Sequence, residues 1–179
     1  MRFPQLILLN GVSSSGKTSI ARVLQEKLNV LYLNFSIDSI LYGLPPSDLR
    51  AMIGGCPILR EEYKYTRLVL GFHAAIAGLL ATGNRLIVDN AITRKEWKTD
   101  FDEVVAPYEV ARIGVLCDLP VAREREAARG DRAVGTAERE FRLVHTNMSY
   151  DLTVDTSVCT PDESVTIILD WLRRDRRVH

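Results

Sequence analysis

Cysteine, net charge and long apolar runs are scarce in this 179-residue chain, and each scarcity removes a class of function. Cys56, Cys117 and Cys159 lie far apart and are odd in number, so neither a zinc site nor a disulfide framework is expected. They read as small buried hydrophobes in a reducing cytoplasm, since a catalytic thiol would need an activating environment. Lys plus Arg and Asp plus Glu both number 23, giving a formal net charge of zero. That balance excludes nucleic acid or an anionic membrane as a partner held by bulk charge. The stretch Leu68 to Gly83 lacks formal charge but is shorter than the roughly 20 apolar residues that span a bilayer, so it reads as a buried helix. The apolar run after Met1-Arg2-Phe3-Pro4 is too short for a secretory signal, and no small-residue cleavage site follows it. Repeats and low-complexity segments are absent, so residues 1–179 read as a single domain.

Short apolar runs alternate with segments of helical period. The strand candidates are Leu6–Asn10, Val30–Phe35, Arg85–Asp89, Ala111–Cys117 and Asp151–Asp155. Near-continuous apolar runs of this kind suit strands covered on both faces, which implies an α/β fold with a five-stranded parallel sheet flanked by helices. A first helix should run to about Leu28 on the face Ile20, Val23, Leu24 and Leu28. A short helix should follow Asp38, a long one should cover about Arg60 to Ala81, and another should begin near Asp118-Leu119-Pro120. The last has Thr160 as N-cap, Pro161 at the first helical position and Glu163 completing a capping box. Gly43–Leu59, rich in Pro and Gly, is the largest stretch expected to be irregular, a candidate binding loop or lid.

Between the first strand and the first helix lies Gly11-Val12-Ser13-Ser14-Ser15-Gly16-Lys17-Thr18, which satisfies G-x-x-x-x-G-K-[ST] at every fixed position. The glycines let consecutive N–H groups converge as an anion nest, and the helix N-terminus adds partial positive charge. Lys17 can reach the β- and γ-phosphates of ATP, and the Thr18 hydroxyl can ligate Mg²⁺. A chance glycine- and serine-rich turn is the plain alternative.

Asp38 follows the second strand, at the end of the sheet where ligands bind in open α/β folds. A carboxylate there can accept the proton of an attacking hydroxyl; otherwise Asp38 or Ser36 caps the short helix. Asp89 closes the third strand, where the Mg²⁺ ligand of phosphate-loop proteins sits, or else makes an ordinary turn. Arg123, Arg125, Arg129 and Arg132 are crowded into one segment. Arg125, Arg129 and Arg132 are spaced near the helical repeat, with Gly130 loosening the chain, and suit a short arginine-rich lid over a migrating phosphoryl group. The competing reading is a solvated face paired with Glu124 and Glu126. His73 and His145 read as hydrogen-bonded structural histidines, because phosphate-loop chemistry needs no imidazole.

Three blocks together resemble the chloramphenicol 3-O-phosphotransferase family of antibiotic-modifying kinases, relatives of shikimate and nucleoside-monophosphate kinases. They are Ile7 to Thr18 with Phe35-Ser36-Ile37-Asp38-Ser39, then Leu86-Ile87-Val88-Asp89, then Gly114 to Asp118 continuing through Ala128-Arg129-Gly130-Asp131-Arg132 to Val154-Asp155-Thr156. The resemblance implies a P-loop kinase fold, with Asp38 as base for the acceptor hydroxyl, Lys17 and Thr18 serving ATP and Mg²⁺, and Arg129 and Arg132 serving the lid. Asn90 departs from the family pattern, which can carry a second acidic residue there. The expectation is a cytoplasmic kinase, monomer or homodimer, that moves the γ-phosphate of Mg-ATP onto a small-molecule hydroxyl such as that of chloramphenicol. A metabolic kinase for a sugar acid, shikimate-like alcohol or nucleotide is the alternative within enzymes. A nucleotide-dependent binding or regulatory module is the alternative outside them.

Overall fold

The computed structural model describes residues 3–129 and 133–174. Five strands, β1 (Leu6–Asn10), β2 (Leu33–Ser36), β3 (Leu86–Asn90), β4 (Val110–Leu116) and β5 (Leu152–Asp155), form a wholly parallel sheet in the order β2-β3-β1-β4-β5. β1 is central, and all five of its residues are buried. Its side chains alternate between faces, Ile7 and Leu9 to one core and Leu6 and Leu8 to the other. Each fully buried aliphatic side chain of this kind contributes about 1.5–3 kcal/mol.

Helix α1 (Lys17–Lys27) and helix α8 (Pro161–Arg174) cover the Ile7/Leu9 face, and α8 buries Val165, Ile168, Leu169 and Leu172. The expected capping box is present: the Thr160 N–H donates to Glu163 Oε2 at 2.8 Å, and the Glu163 N–H donates to Thr160 Oγ1 at 3.3 Å. The other face is covered by α4 (Tyr65–Ala81) and α5 (Lys95–Val105). Between β2 and α4 lie α2 (Ile37–Leu41) and α3 (Pro46–Ile53), and before β5 lie α6 (Leu119–Arg129) and α7 (Thr136–Phe141).

Several sequence expectations need correction. The second strand is an edge strand with an exposed-to-intermediate pattern, so its apolar residues are not sandwiched like those of β1 and β3. Gly43–Leu59 holds a helix, α3, started by Pro46 at a first-turn position where its missing N–H costs nothing. The long helix begins at Tyr65 rather than Arg60, and neither α5 nor α7 was foreseen. Of the cysteines only Cys117 is buried; Cys159 is intermediate and Cys56 is exposed.

Strand register sets the site. Asn10 pairs with Asn90 and Gly114, and Ser36 pairs with Asp89, so the carboxyl ends of β1, β2, β3 and β4 open onto one rim. From β1 the order runs outward through β3 to β2 on one side and through β4 to β5 on the other, leaving the crevice at the centre.

Candidate active site

The loop after β1 is shaped by close approach. A Cβ on Gly11 would lie 2.4 Å from the Val115 carbonyl oxygen of β4, so only glycine fits. Ser14 at φ 62° and Gly16 at φ 88° put left-handed residues into the turn, which aims backbone N–H groups inward as an anion nest. The hydroxyls of Ser13, Ser14 and Ser15 are buried without a hydrogen-bond partner, a donor-rich cradle that suits the oxygens of a phosphate chain. Lys17, buried in the first turn of α1, donates to the Val12 carbonyl at 2.7 Å and stands 3.8 Å from Asp89 Oδ1.

Thr18 Oγ1 donates to Asp89 Oδ2 at 2.5 Å. Thr18 and Asp89, the two residues expected to serve Mg²⁺, are therefore brought into contact although they are far apart in sequence. One hydroxyl and one carboxylate suit a small hard cation that keeps most of its ligands as water and phosphate oxygens. Ser13, Ser14, Gly16, Lys17, Thr18 and Asp89 all line a cleft of about 450 Å³, and Val12 is buried behind them.

Asp38 lines the same cleft from the first turn of α2. The N-cap of that helix is Ser36, in a capping box with Ser39 whose Oγ accepts the Ser36 N–H at 3.4 Å. Capping is thus performed two residues before Asp38, whose half-buried carboxylate lies on the cleft wall.

The arginines separate. Arg123 pairs on the surface with Glu138 rather than with the expected Glu124 or Glu126, and Glu126 is buried, accepting the Gly135 and Ala137 N–H groups. Arg125 donates to the Thr156 carbonyl at 2.8 Å and lines a second recess with Ser19, Ala128, Cys159 and Pro161, beside the phosphate loop. Its planar, pinned guanidinium suits a wall for a flat nucleobase. Arg129 lines both that recess and the main cleft, at the boundary where a phosphate chain would cross. Arg132 lies outside the described residues.

Sequence reasoning missed several contributors. Arg94, Tyr65, Trp97, Arg139 and Glu140 all line the cleft. The Arg94 guanidinium sits 4.7 Å from the centroid of the Trp97 ring, a cation–π contact. Arg94 follows β3 at the carboxyl rim, a position that could have flagged it; nothing local flags the others. Asn10 ends β1, and its Oδ1 accepts the Ile92 N–H at 2.9 Å while its Nδ2 donates to the Val144 carbonyl at 2.8 Å and to the Tyr150 hydroxyl at 2.7 Å. The Tyr150 hydroxyl also shares a hydrogen bond of 2.8 Å with His145 Nδ1. Burial, then the charge of Lys17, holds the His145 pKa below its ordinary value, which favours the neutral ring. Gly114 makes room for Tyr150, whose ring a Cβ there would meet at 2.8 Å.

The sequence model of a family described as chloramphenicol phosphotransferase-like protein matches residues 4–173. The chain belongs to that family. Two relatives from Mycobacterium tuberculosis, strains CDC 1551 and H37Rv and each named "Putative O-phosphotransferase", are 30% identical over 173 residues. The match covers 86% of this chain and 75% of theirs. Among solved structures, a sugar kinase from Janibacter sp. HTCC2649 superposes with a TM-score of 0.72 at 16% identity, covering 94% of both chains. A gluconokinase from Sinorhizobium meliloti 1021 reaches 0.69 at 21% identity, covering 99% of this chain and 96% of its own. The APS kinase of M. tuberculosis, bound to AMPPNP and APS, reaches 0.68 at 16% identity, covering 97% and 99%. The fold of this chloramphenicol phosphotransferase-like chain is the P-loop kinase fold, and the chain is a nucleotide-binding phosphotransferase, a kinase of small molecules. Among the described residues no helix is long and apolar enough to cross a membrane.

Proposed function

We propose that the protein transfers the γ-phosphate of Mg-ATP to a hydroxyl on a largely apolar small molecule, with chloramphenicol as the leading acceptor and antibiotic inactivation as the role. One observation carries this reading: Asp38 stands between the phosphate cradle and a recess of about 220 Å³ with both apolar and polar lining, bordering both. Leu41, Leu49, Met52, Ile53 and Tyr65 line that recess together with Thr136, Arg139 and Glu140, so an acceptor can bury carbon there, meet polar groups beside it and offer its hydroxyl to Asp38. The family resemblance supports the same acceptor class.

Bound Mg-ATP supplies the phosphoryl group and a cation that offsets its charge, with Thr18 and Asp89 holding the cation. The loop amides and Lys17 fix the β- and γ-phosphates. Asp38 orients the acceptor O–H and takes its proton as the new oxygen–phosphorus bond forms, while the bond from the γ-phosphorus to the β,γ-bridging oxygen breaks and ADP departs. Arg129, together with Arg132, neutralises charge on the group in flight. The whole chain acts as one domain, monomeric or homodimeric and cytoplasmic, where ATP is available.

A second reading rests on Arg94 and Arg139 in the same cleft, two cations that suit an anionic acceptor such as a sugar acid. ADP release and product mass, measured with Mg-ATP against chloramphenicol, aryl alcohols, shikimate and gluconate, decide between them. Turnover confined to the anionic acceptors would overturn the apolar reading. ATP binding without transfer to any alcohol would leave a nucleotide-dependent binding module.

A further inference from the structure

Asn10 is the last residue of β1 and directly precedes Gly11, the first glycine of the phosphate loop. Its side chain is 0% exposed and does not line the cleft. A buried amide costs stability unless its polar atoms are met, and three long-range hydrogen bonds meet them here. Oδ1 reaches Ile92, 82 positions along the chain, while Nδ2 reaches Val144 and Tyr150, 134 and 140 positions along. The Ile92 N–H can only donate and the Val144 carbonyl can only accept, so one orientation of the amide satisfies both.

The two backbone partners belong to segments that wall the cleft. Ile92 lies in the loop after β3, where Ala91, Thr93 and Arg94 all line it. Val144 donates its own N–H to the Glu140 carbonyl at 2.9 Å, which ties Asn10 to the end of α7 that brings Arg139 and Glu140 to the cleft. Tyr150 reaches Asn10 over Gly114, the β4 residue paired with Asn10, where a Cβ would meet the tyrosine ring. The next residue, Gly11, donates its N–H to the Asn90 carbonyl at 3.3 Å, which fixes the root of the phosphate loop to the end of β3. One side chain thus joins the root of the cradle to two walls of the cleft. A fully bonded buried amide of this kind rigidifies one arrangement of the groups around it, which an apolar residue would not do.

We propose that Asn10 is a positioning residue for phosphoryl transfer: it touches no substrate, and it holds the loop after β3 and the segment leaving α7 in register with the phosphate cradle. The proposal rests on the kinase reading, since what it positions is the acceptor's surroundings relative to the γ-phosphate. The cradle is built by residues 11–18 and the start of α1, so nucleotide binding does not need the Asn10 amide. Loss of that amide should therefore impair use of the acceptor and spare the nucleotide. A misplacement of about 1 Å far from the chemistry is enough to cost about a hundredfold in rate.

Asn10→Ala removes all three bonds and is compared with Leu169→Ala in α8. The second change opens a cavity in the core under α1 and α8, a cluster that holds neither Ile92 nor Val144, and so reports plain loss of stability. Melting curves, steady-state kinetics with chloramphenicol and Mg-ATP, and the Kd of Mg-AMPPNP are measured on both variants. Asn10→Ala should lower kcat/KM for the acceptor by about ten- to a hundredfold, through a lower kcat and a higher acceptor KM, with the Mg-AMPPNP Kd within about twofold. Leu169→Ala, assayed below its melting transition, should keep all of these within about twofold. Equal kinetic losses in the two variants, or a loss of Mg-AMPPNP affinity in Asn10→Ala that matches its kinetic loss, overturn the proposal. If Asn10→Ala does not fold, Tyr150→Phe removes one bond and should lower the acceptor kcat/KM by about threefold; an unchanged value overturns the proposal. If the unmutated protein does not phosphorylate chloramphenicol, the kinase reading fails for that acceptor, and amide hydrogen exchange with Mg-AMPPNP bound decides the role of Asn10. Faster exchange over residues 91–94 in Asn10→Ala than in Leu169→Ala upholds it, and equal exchange overturns it.

Discussion

The Glu140 carboxylate of α7 accepts a hydrogen bond of 2.6 Å from the backbone N–H of Ser13 in the phosphate loop. An anion from α7 thus occupies an amide of the cradle that our mechanism assigns to ATP. Two negative groups a few ångströms apart repel by about 1–4 kcal/mol, depending on how much water lies between them. A phosphate group at this amide therefore competes with the Glu140 carboxylate for the same donor.

Glu140→Gln should keep a hydrogen-bonding side chain and remove the repulsion. Mg-ATP affinity, measured by calorimetry, should rise by about three- to tenfold, the equivalent of about 1 kcal/mol. Affinity that is unchanged or weaker would show that Glu140 does not compete with phosphate.

Lys17→Ala should abolish transfer with the fold retained. Among the described residues Lys17 Nζ donates to the Val12 carbonyl and faces Asp89 across 3.8 Å, while Asp89 keeps its bond to Thr18, so little structure depends on it. Loss of one such charge-stabilising contact costs about 3–4 kcal/mol, a hundredfold or more in rate. A circular-dichroism melt run beside the rate assay separates chemistry from folding.

Asp38→Asn separates base from cap. Because Ser36 occupies the N-cap, the melting temperature should stay within about 2 °C, the scale of a few tenths of a kcal/mol. The transfer rate should fall by about 10²–10⁴-fold with ATP binding preserved. A rate like that of the unmutated protein would remove Asp38 from the mechanism.

Arg125 and Arg129 should divide binding from rate. Arg125→Ala opens the wall beside Thr156 and should raise the KM for ATP with kcat largely kept. Arg129→Ala should lower kcat and leave nucleotide affinity nearly intact, since its charge meets the phosphoryl group in flight. Full kinetics on both variants check this, and matching profiles would refute the division.

Acidification should destabilise the protein before its carboxylates titrate. Burial lowers the pKa of His73 against the pull of Asp100, and burial together with Lys17 lowers that of His145. The unfolded chain takes up these protons near pH 6.5 and the folded chain resists them. The stabilisation is therefore complete above about pH 6.5 and is lost as pH falls through that value toward the folded pKa values. Melting temperatures from about pH 7.5 down to about pH 5.5 should fall, and less steeply in His73→Phe. Parallel curves would exclude His73 as a source.

Much of the scaffold was legible before any coordinates. The phosphate loop is read from eight consecutive residues because its chemistry is backbone chemistry, set by glycines and the helix that follows. β1 and α8 were legible for a similar reason: burial on both strand faces, or along one helix face, writes a periodicity into neighbouring residues. The family resemblance was legible because its motifs are contiguous. α3 was hidden by the Pro and Gly around it, and the edge position of β2 is invisible in an apolar run, since exposure depends on which strand lies beside it.

The sequence by itself determined the phosphate cradle, the central strand and the terminal helix, because each is decided by interactions within a few residues. Tertiary structure alone decided the acceptor side. Glu140 meets Ser13 across 127 positions, Asp100 fixes the tautomer of His73 from another helix, and Trp97 shares with His73 a recess whose walls belong to separate elements. No local propensity encodes such meetings. They follow from the way the parallel sheet brings its strand ends to one rim and the helices pack on its faces, so that chemistry spread along the chain converges only when the core is closed.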